Sequence, residues 1–465
     1  MRIKCFIFSS CFLFIFALFG CSSLPDKVEH IPARIAESKS SELSKLVDNA
    51  QAPEDVGLSS VFVQEHGFDA LAQRLALTEA AEHTIDFQYY IWNDDMSGRY
   101  LASRIVAAAD RGVKVRALLD DININQREDL LSSLDRHPNI SIRIFNPSKY
   151  RGSKSKWLGF LTDFSRLNRR MHNKTFTVDS SFSIVGGRNI GDEYFDLSNH
   201  INFKDRDALV AGKVVSSVED SFNTYWNSSW SYPIELLSKN KNSETQLPKS
   251  DIPGYSNGRS LPLKKKQSIE YLISILEQST WTKADFFSDK PIPEDVGDTD
   301  KPKDSAVRIS TLAENAQSEI LVESAYLILD KKQLGKLLDI SKKGIVVKAL
   351  TNSMASNDLI TNHSGYAAKR KAMIKNGMQL YELRATAPLC IDSTKDESKC
   401  SPHVPYGLHA KTLIFDKSIA CIGSFNLNLR STYLNTESIL IVYDKKIAGT
   451  IASNIERAMS GVNSW

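Results

Sequence analysis

Apolar and polar positions alternate along two parts of this chain, with helical spacing in between. Thr84-Ile85-Asp86-Phe87-Gln88-Tyr89-Tyr90-Ile91 has the period of two and the aromatic content of a strand. Tyr100 to Arg111 places Leu101, Ile105 and Ala108-Ala109 on one helical face, and Gly112 ends that run. Val113 to Leu119 reads as the next strand. Strand, helix, strand implies a parallel or mixed sheet with helices on its faces. The order returns later: a strand over Glu319–Leu329, a helix over Lys331–Lys343, a stop at Gly344 and a strand over Ile345–Leu350. Two more strands follow at Lys411–Phe415 and Ile419–Ile422. The expected fold is α/β, with two tandem domains over 56–235 and 304–465. Residues 236–303, rich in Lys, Asn, Ser and Pro, read as a linker or insertion with one helix over Gln267–Gln278. Residues 21–55 are polar, lack an apolar period and read as a tether.

The first twenty residues change the picture. Arg2 and Lys4 precede an apolar or small-residue run from Cys5 to Phe19, short for a membrane span and suited to a secretory signal. The run ends in Leu18-Phe19-Gly20-Cys21, which resembles a bacterial lipobox. Residues 1–20 are thus expected to be a lipoprotein signal peptide, with Cys21 lipidated. Ser22 after it resembles lipoproteins sorted to the outer membrane of a two-membrane bacterium. The expected location is the cell envelope, anchored through Cys21 and facing the periplasm. Export makes a disulfide between Cys390 and Cys400, which bracket a polar loop, the expected pairing, while Cys421 reads as a buried thiol. The composition is ordinary, 42% apolar and 24% charged over 465 residues, and a net charge of +3 is too small to argue for nucleic acid.

The chemistry lies in a repeated spacing. From His172 the chain reads Lys174, Asp179, Gly186 and Asn189; from His409 it reads Lys411, Asp416, Gly423 and Asn426 at the same offsets. The copies stand 409 − 172 = 237 residues apart, which suggests duplication. Two imidazoles, two ammonium groups and two amides suit one anionic centre such as a phosphodiester. Its cleavage needs charge neutralisation, a nucleophile and an acid for the leaving oxygen. The histidines can share the last two tasks. Lys174 and Lys411 can hold phosphoryl oxygens, with Asn189 and Asn426 donating from their amides. Asp179 and Asp416 belong to the motif set and are expected to pair structurally instead of entering the chemistry. Gly187 stands where the second copy has Ser424, a hydroxyl expected near the phosphate.

These motifs resemble the HxKxxxxD repeats of the phospholipase D superfamily. RLNRRMHNKTF (166–176), GGRNIGDEYFD (186–196), the stretch 350–383 and GSFNLNLRSTYLNTE (423–437) resemble its bacterial cardiolipin synthase C type. The resemblance implies two domains about a pseudo-twofold axis with the active site between them. It implies a ping-pong reaction with His172 as nucleophile, His409 as acid and a phosphohistidine intermediate, without metal or cofactor. The product would be cardiolipin, made from phosphatidylglycerol and a second phospholipid, phosphatidylethanolamine or phosphatidylglycerol. A phospholipase D releasing phosphatidic acid is the alternative, and a nuclease is a weaker one. The acids that orient the histidines are expected at Glu437 and Asp207.

Other features stay open on sequence alone. Lys149, Arg151, Lys154, Lys156, Arg166, Arg169 and Arg170, interleaved with Tyr150, Trp157, Phe160 and Phe164, could be a solvated face, a nucleic-acid strip or a dock for anionic headgroups at a membrane surface. Glu323-Ser324-Ala325-Tyr326 could line a pocket or pack, and His363 is a candidate for an acceptor pocket.

Overall fold

A computed structural model of the chain describes residue 28 and residues 40–124, 127–148, 164–238, 251–255, 258–291 and 301–465. The signal segment, Cys21 and the basic residues Lys149 to Lys156 with their aromatic neighbours Tyr150, Trp157 and Phe160 lie outside it. The first-half strands are β1 (Ser59–Gln64), β2 (Thr84–Tyr89), β3 (Lys114–Asp120), β4 (Ile140–Phe145), β5 (Thr175–Val178), β6 (Phe182–Gly186), β7 (Asn202–Lys204), β8 (Asp207–Gly212), β9 (Ser231–Pro233) and β10 (Thr280–Thr282). Those of the second half are β11 (Ala284–Ser288), β12 (Glu319–Ser324), β13 (Val346–Asn352), β14 (Met378–Leu383), β15 (Tyr406–Leu408), β16 (Lys411–Phe415), β17 (Ile419–Gly423) and β18 (Ser438–Val442).

The first sheet runs β10-β1-β8-β6-β5-β2-β3-β4-β9 and the second β11-β18-β17-β16-β12-β13-β14. Without its outer strands β10 and β9, the first sheet has the order of the second, strand for strand. Both are mixed: β2-β3-β4 and β12-β13-β14 are parallel, the remaining pairs antiparallel. The helix Met96–Asp110 links β2 to β3, as Lys331–Lys342 links β12 to β13. Each ends at a glycine held at positive φ, Gly112 at 103° and Gly344 at 82°, where a side chain would be strained.

Two expected boundaries move. Within the expected linker or insertion, residues 280–288 belong to the sheets: β10 extends the first sheet beside β1, and after Lys283 β11 opens the second sheet beside β18. The pairing places β11 as the counterpart of β1, so the second domain starts near Ala284. The expected helix spans Lys265–Gln278 and packs on the helix Gly67–Ala80. The polar tether is also shorter than expected. Glu42–Ala50 is a helix capped by Ser41, and Leu43 and Val47, four apart, bury one face in the first-half core.

The halves share a core. Val185, Ala208 and Val210 of β6 and β8 pack in one cluster with Ile414, Ile422 and Leu440 of β16, β17 and β18. β7 and β15 also pair in parallel across the halves, Lys204 opposite Leu408. Among the described residues no helix is long and apolar enough to cross a membrane.

Candidate active site

Both histidines sit at the seam, each placed by backbone of the other half. The N–H of His172 donates to Thr436 O at 2.9 Å, and Thr436 N–H to Arg170 O at 2.9 Å. The N–H of His409 donates to Lys204 O at 2.8 Å. The rings are held crosswise too. His172 Nδ1 donates to Glu437 Oε2 at 2.8 Å, with the Ser424 carbonyl at 3.0 Å, and His409 Nδ1 donates to Asp205 Oδ2 at 2.5 Å. An acid from the second half therefore orients the first histidine, and the reverse. With Nδ1–H committed to a carboxylate, the Nε2 of each ring is left for chemistry. Tyr90 stands edge-on to His172 at 4.9 Å between centroids, and Tyr194 to His409 at 5.0 Å.

Lys174 and Lys411 follow the same plan. Lys174 Nζ donates to the His172 carbonyl at 2.5 Å, and Lys411 Nζ to that of His409. An ammonium carries three donors, so each keeps donors for an anion. Burial pushes Lys174 down to about 7 and Lys411 down to about 8. Burial likewise lowers His172 to about 4, against the pull of Glu437, and lowers His409, aided by Lys411. Burial raises Glu437 and Asp205, yet the charges of their histidines and lysines hold both below the usual carboxylate range. Lys411 of the second half acts on His172 and Lys174 of the first, so the two motifs share one electrostatic site.

One expected acid is wrong and one is found. Glu437 is where the sequence places it; Asp207 is not the partner of His409. Asp207 opposes Gly186 in the ladder, bonds Arg74 at 2.9 Å and accepts the N–H of Arg188 at 3.0 Å. Gly423, the repeat of Gly186, opposes Ile439, so the residue matching Glu437 lies two before Asp207, at Asp205. Gly187 now has a reason. A Cβ there would lie 2.5 Å from the Asp205 carboxylate. In the other copy the Ser424 hydroxyl donates to Glu437, so it serves the acid and not the phosphate.

The motif aspartates stand outside the chemistry. Asp179 accepts the backbone N–H groups of Glu82, His83 and Thr84 at 2.8–2.9 Å. Asp416 accepts those of Gln317, Ser318 and Glu319 at 2.7–3.1 Å. Each tethers a hairpin turn to the start of the next strand in the sheet. Asn189 accepts from Ile91 N–H and donates to Tyr194 Oη at 3.0 Å, so its amide is engaged within the protein. Asn426 is buried with its amide oxygen unpartnered. Cys390 and Cys400 form a disulfide ahead of β15, and Cys421 is a buried thiol. Arg169 and Arg170 belong to no surface strip: both are buried, and Arg170 pairs with Asp120 at 2.9 Å. Arg166 donates to Asn146 Oδ1 at 2.6 Å. Glu323 pairs with Lys204 and Arg206, and His363 lies 5.8 Å from the Tyr366 ring.

Three positioning residues had no motif to reveal them. Asp289, following β11, accepts the N–H of Glu437 at 2.9 Å and is raised to about 6 by burial. Asp120 and Asn352, which end β3 and β13, accept the N–H of Met171 at 2.9 Å and of Leu408 at 2.7 Å. These are the residues before the two histidines. Their common place at a strand end was the available signal. Among the described residues no group of three or more His, Cys, Asp or Glu is set to hold a metal ion.

A fold of two matched halves with a shared His–Lys centre defines a class, and comparison with known proteins specifies it. The family model "Cardiolipin synthase, PLD-like domain" matches residues 75–226 and 309–459, so the chain belongs to that family and is an enzyme of the phospholipase D superfamily. Cardiolipin synthase C of Escherichia coli is 38% identical over 403 residues, covering 85% of this chain and 84% of that one. The major cardiolipin synthase of Bacillus subtilis is 24% identical over 399 residues, covering 86% of this chain and 68% of that one. The crystal structure of phosphatidylserine synthase from Haemophilus influenzae has the same fold, with a TM-score of 0.58 at 12% identity over 91% of this chain and 92% of that one.

Proposed function

We propose that the chain is a membrane-tethered phosphatidyltransferase that makes cardiolipin from phosphatidylglycerol and a second phospholipid. The observation that carries this reading is the 38% identity to cardiolipin synthase C across both halves of the site. The crossed acid–histidine pairs support a double displacement. His172 Nε2 attacks phosphorus as the bond to the leaving alcohol breaks, and His409 Nε2–H gives its proton to that oxygen. The hydroxyl of phosphatidylglycerol then attacks phosphorus, returns a proton to His409 and releases His172. Lys174 and Lys411 neutralise the phosphoryl oxygens, and the anion in turn favours their charged forms. The segment Arg2–Cys21 supports a lipid anchor at the outer membrane, facing the periplasm.

The test is mass spectrometry of lipids from full-length protein in vesicles of phosphatidylethanolamine and phosphatidylglycerol with EDTA. Cardiolipin with free ethanolamine is expected, and neither with His172→Ala. Cardiolipin with glycerol would change the donor to phosphatidylglycerol. Phosphatidic acid alone would make the protein a hydrolase, and no lipid change would overturn the reading.

A further inference from the structure

His172 and His409 are only 7% and 5% exposed, so a phospholipid has to bring its phosphorus inward while its chains stay in apolar surroundings. The rim of the mouth carries a pattern of its own. Asp120 and Asn352, matched ends of β3 and β13, hold the residues before the two histidines. Two positions beyond each stands an exposed apolar side chain: Ile122 at 49% and Met354 at 76%. The second loop continues to Leu359 at 46% and Ile360 at 80%. It is tied to the site, since Asp358 accepts from Tyr326 Oη at 2.9 Å and its charge acts on His409 and Lys411.

Single exposed apolar residues need no explanation. These follow matched strand ends, one in each half, whose last residues hold the segments of the two histidines. Exposed Lys369 and Lys371, on the helix that starts at Ile360, add charge opposite to anionic headgroups. A protein partner resting on both rims would close the mouth. A bilayer supplies substrate through it.

We propose that Ile122, Met354, Leu359 and Ile360 form a two-sided docking rim that seats the active-site mouth in the headgroup–acyl boundary of a bilayer containing anionic phospholipid. The inference rests on the lipid-substrate reading above. It is tested with full-length protein on two substrates: phosphatidylethanolamine–phosphatidylglycerol vesicles, and dihexanoyl-phosphatidylglycerol dissolved as monomers. Ile122→Asp and a Met354→Asp, Ile360→Asp double variant are expected to lose about tenfold or more on vesicles, as withdrawal of one large apolar side chain from lipid implies. Both should keep the wild-type rate on monomers. Val56→Asp, an equally exposed site at the far end of β1, should change neither rate. Met354→Trp fluorescence should be quenched by brominated lipid beyond the wild-type level.

Wild-type rates on vesicles for the rim variants, or no added quenching, would overturn the docking rim. So would equal losses on both substrates, which would make the rim part of the catalytic fold, or a dimer that Met354→Asp dissolves. If the wild type turns over neither substrate while Met354→Trp is quenched, the docking stands and the lipid-transfer reading fails.

Discussion

Asp205 and Asp207 are two residues apart on one strand approach, yet one serves the reaction and the other the fold. Asp205 raises the proton affinity of His409, whereas Asp207 is locked to Arg74 with both side chains about 1% exposed. Asp205→Asn should cut kcat by about a thousandfold or more, as loss of an imidazole-orienting carboxylate does elsewhere. Its melting temperature should hardly move. Asp207→Asn should do the reverse, leaving a buried guanidinium unpaired at a cost of about 3–5 kcal/mol. Initial rates beside thermal unfolding of the two variants separate the roles. The pH profile is a second test. His172, depressed to about 4, stays neutral and nucleophilic above that pH and is lost as a nucleophile when pH falls through it. Lys174 and Lys411 lose their charge as pH rises through about 7 and about 8. His409, lowered by burial, loses the proton it must give below the ordinary imidazole range, so kcat/KM on a monomeric substrate should form a bell with an acid limb near 4, an alkaline limb set first by His409 and a further fall between 7 and 8 as the lysines discharge. Glu437→Gln removes the partner that raises His172, and should move the acid limb lower.

The hairpins β5–β6 and β16–β17 show how a motif residue can be fixed by the backbone and not by chemistry. Asp179 and Ser180, like Asp416 and Lys417, have φ between 49° and 52°, as the central residues of a type I′ turn do, closed by Ser181 N–H to Val178 O and by Ser418 N–H to Phe415 O. Aspartate tolerates that region and its carboxylate takes three N–H groups from the neighbouring strand's entry. Asp179→Ala exposes those donors in a buried setting and should cost about 3 kcal/mol, read as a lower urea midpoint. The repeat made these hairpins, the βαβ units and both His–Lys pairs legible in the sequence. β11 was hidden because Ala284–Ser288 is short, follows a polar stretch and finds its partner, β18, about 150 residues on. Leu43 and Val47 were missed although Leu43, Leu46, Val47 and Ala50 stand at helical spacing, because the pattern lasts only nine residues within a polar stretch. Asp205 was missed because sequence spacing differs between the copies, and only the strand register restores the match with Glu437.

Across the whole molecule, the crossed pairs make neither half a complete site. Glu437 comes from the strand entry beside β11 and holds His172, and Asp205 comes from the stretch between β7 and β8 and holds His409. The arrangement makes the two histidines separable by mutation, because removing one ring leaves the other's acid in place. In His409→Ala the pair His172–Glu437 is intact but the leaving oxygen has no proton donor, so attack on phosphorus proceeds only with a leaving group that departs unprotonated, such as p-nitrophenolate, and the intermediate then lacks the base for its second step. His409→Ala protein mixed with an acyl-labelled phosphatidyl p-nitrophenol should then retain label as an acid-labile phosphoramidate. His172→Ala should retain none, because its remaining imidazole is placed to give a proton. Label on His172→Ala instead would exchange the two roles, and label on neither would replace the covalent step by direct transfer. Mixing the two variants should restore no turnover. Each needs an imidazole that the second molecule holds behind its own shared core, where β6 and β8 pack with β16, β17 and β18 and leave no seam for exchange.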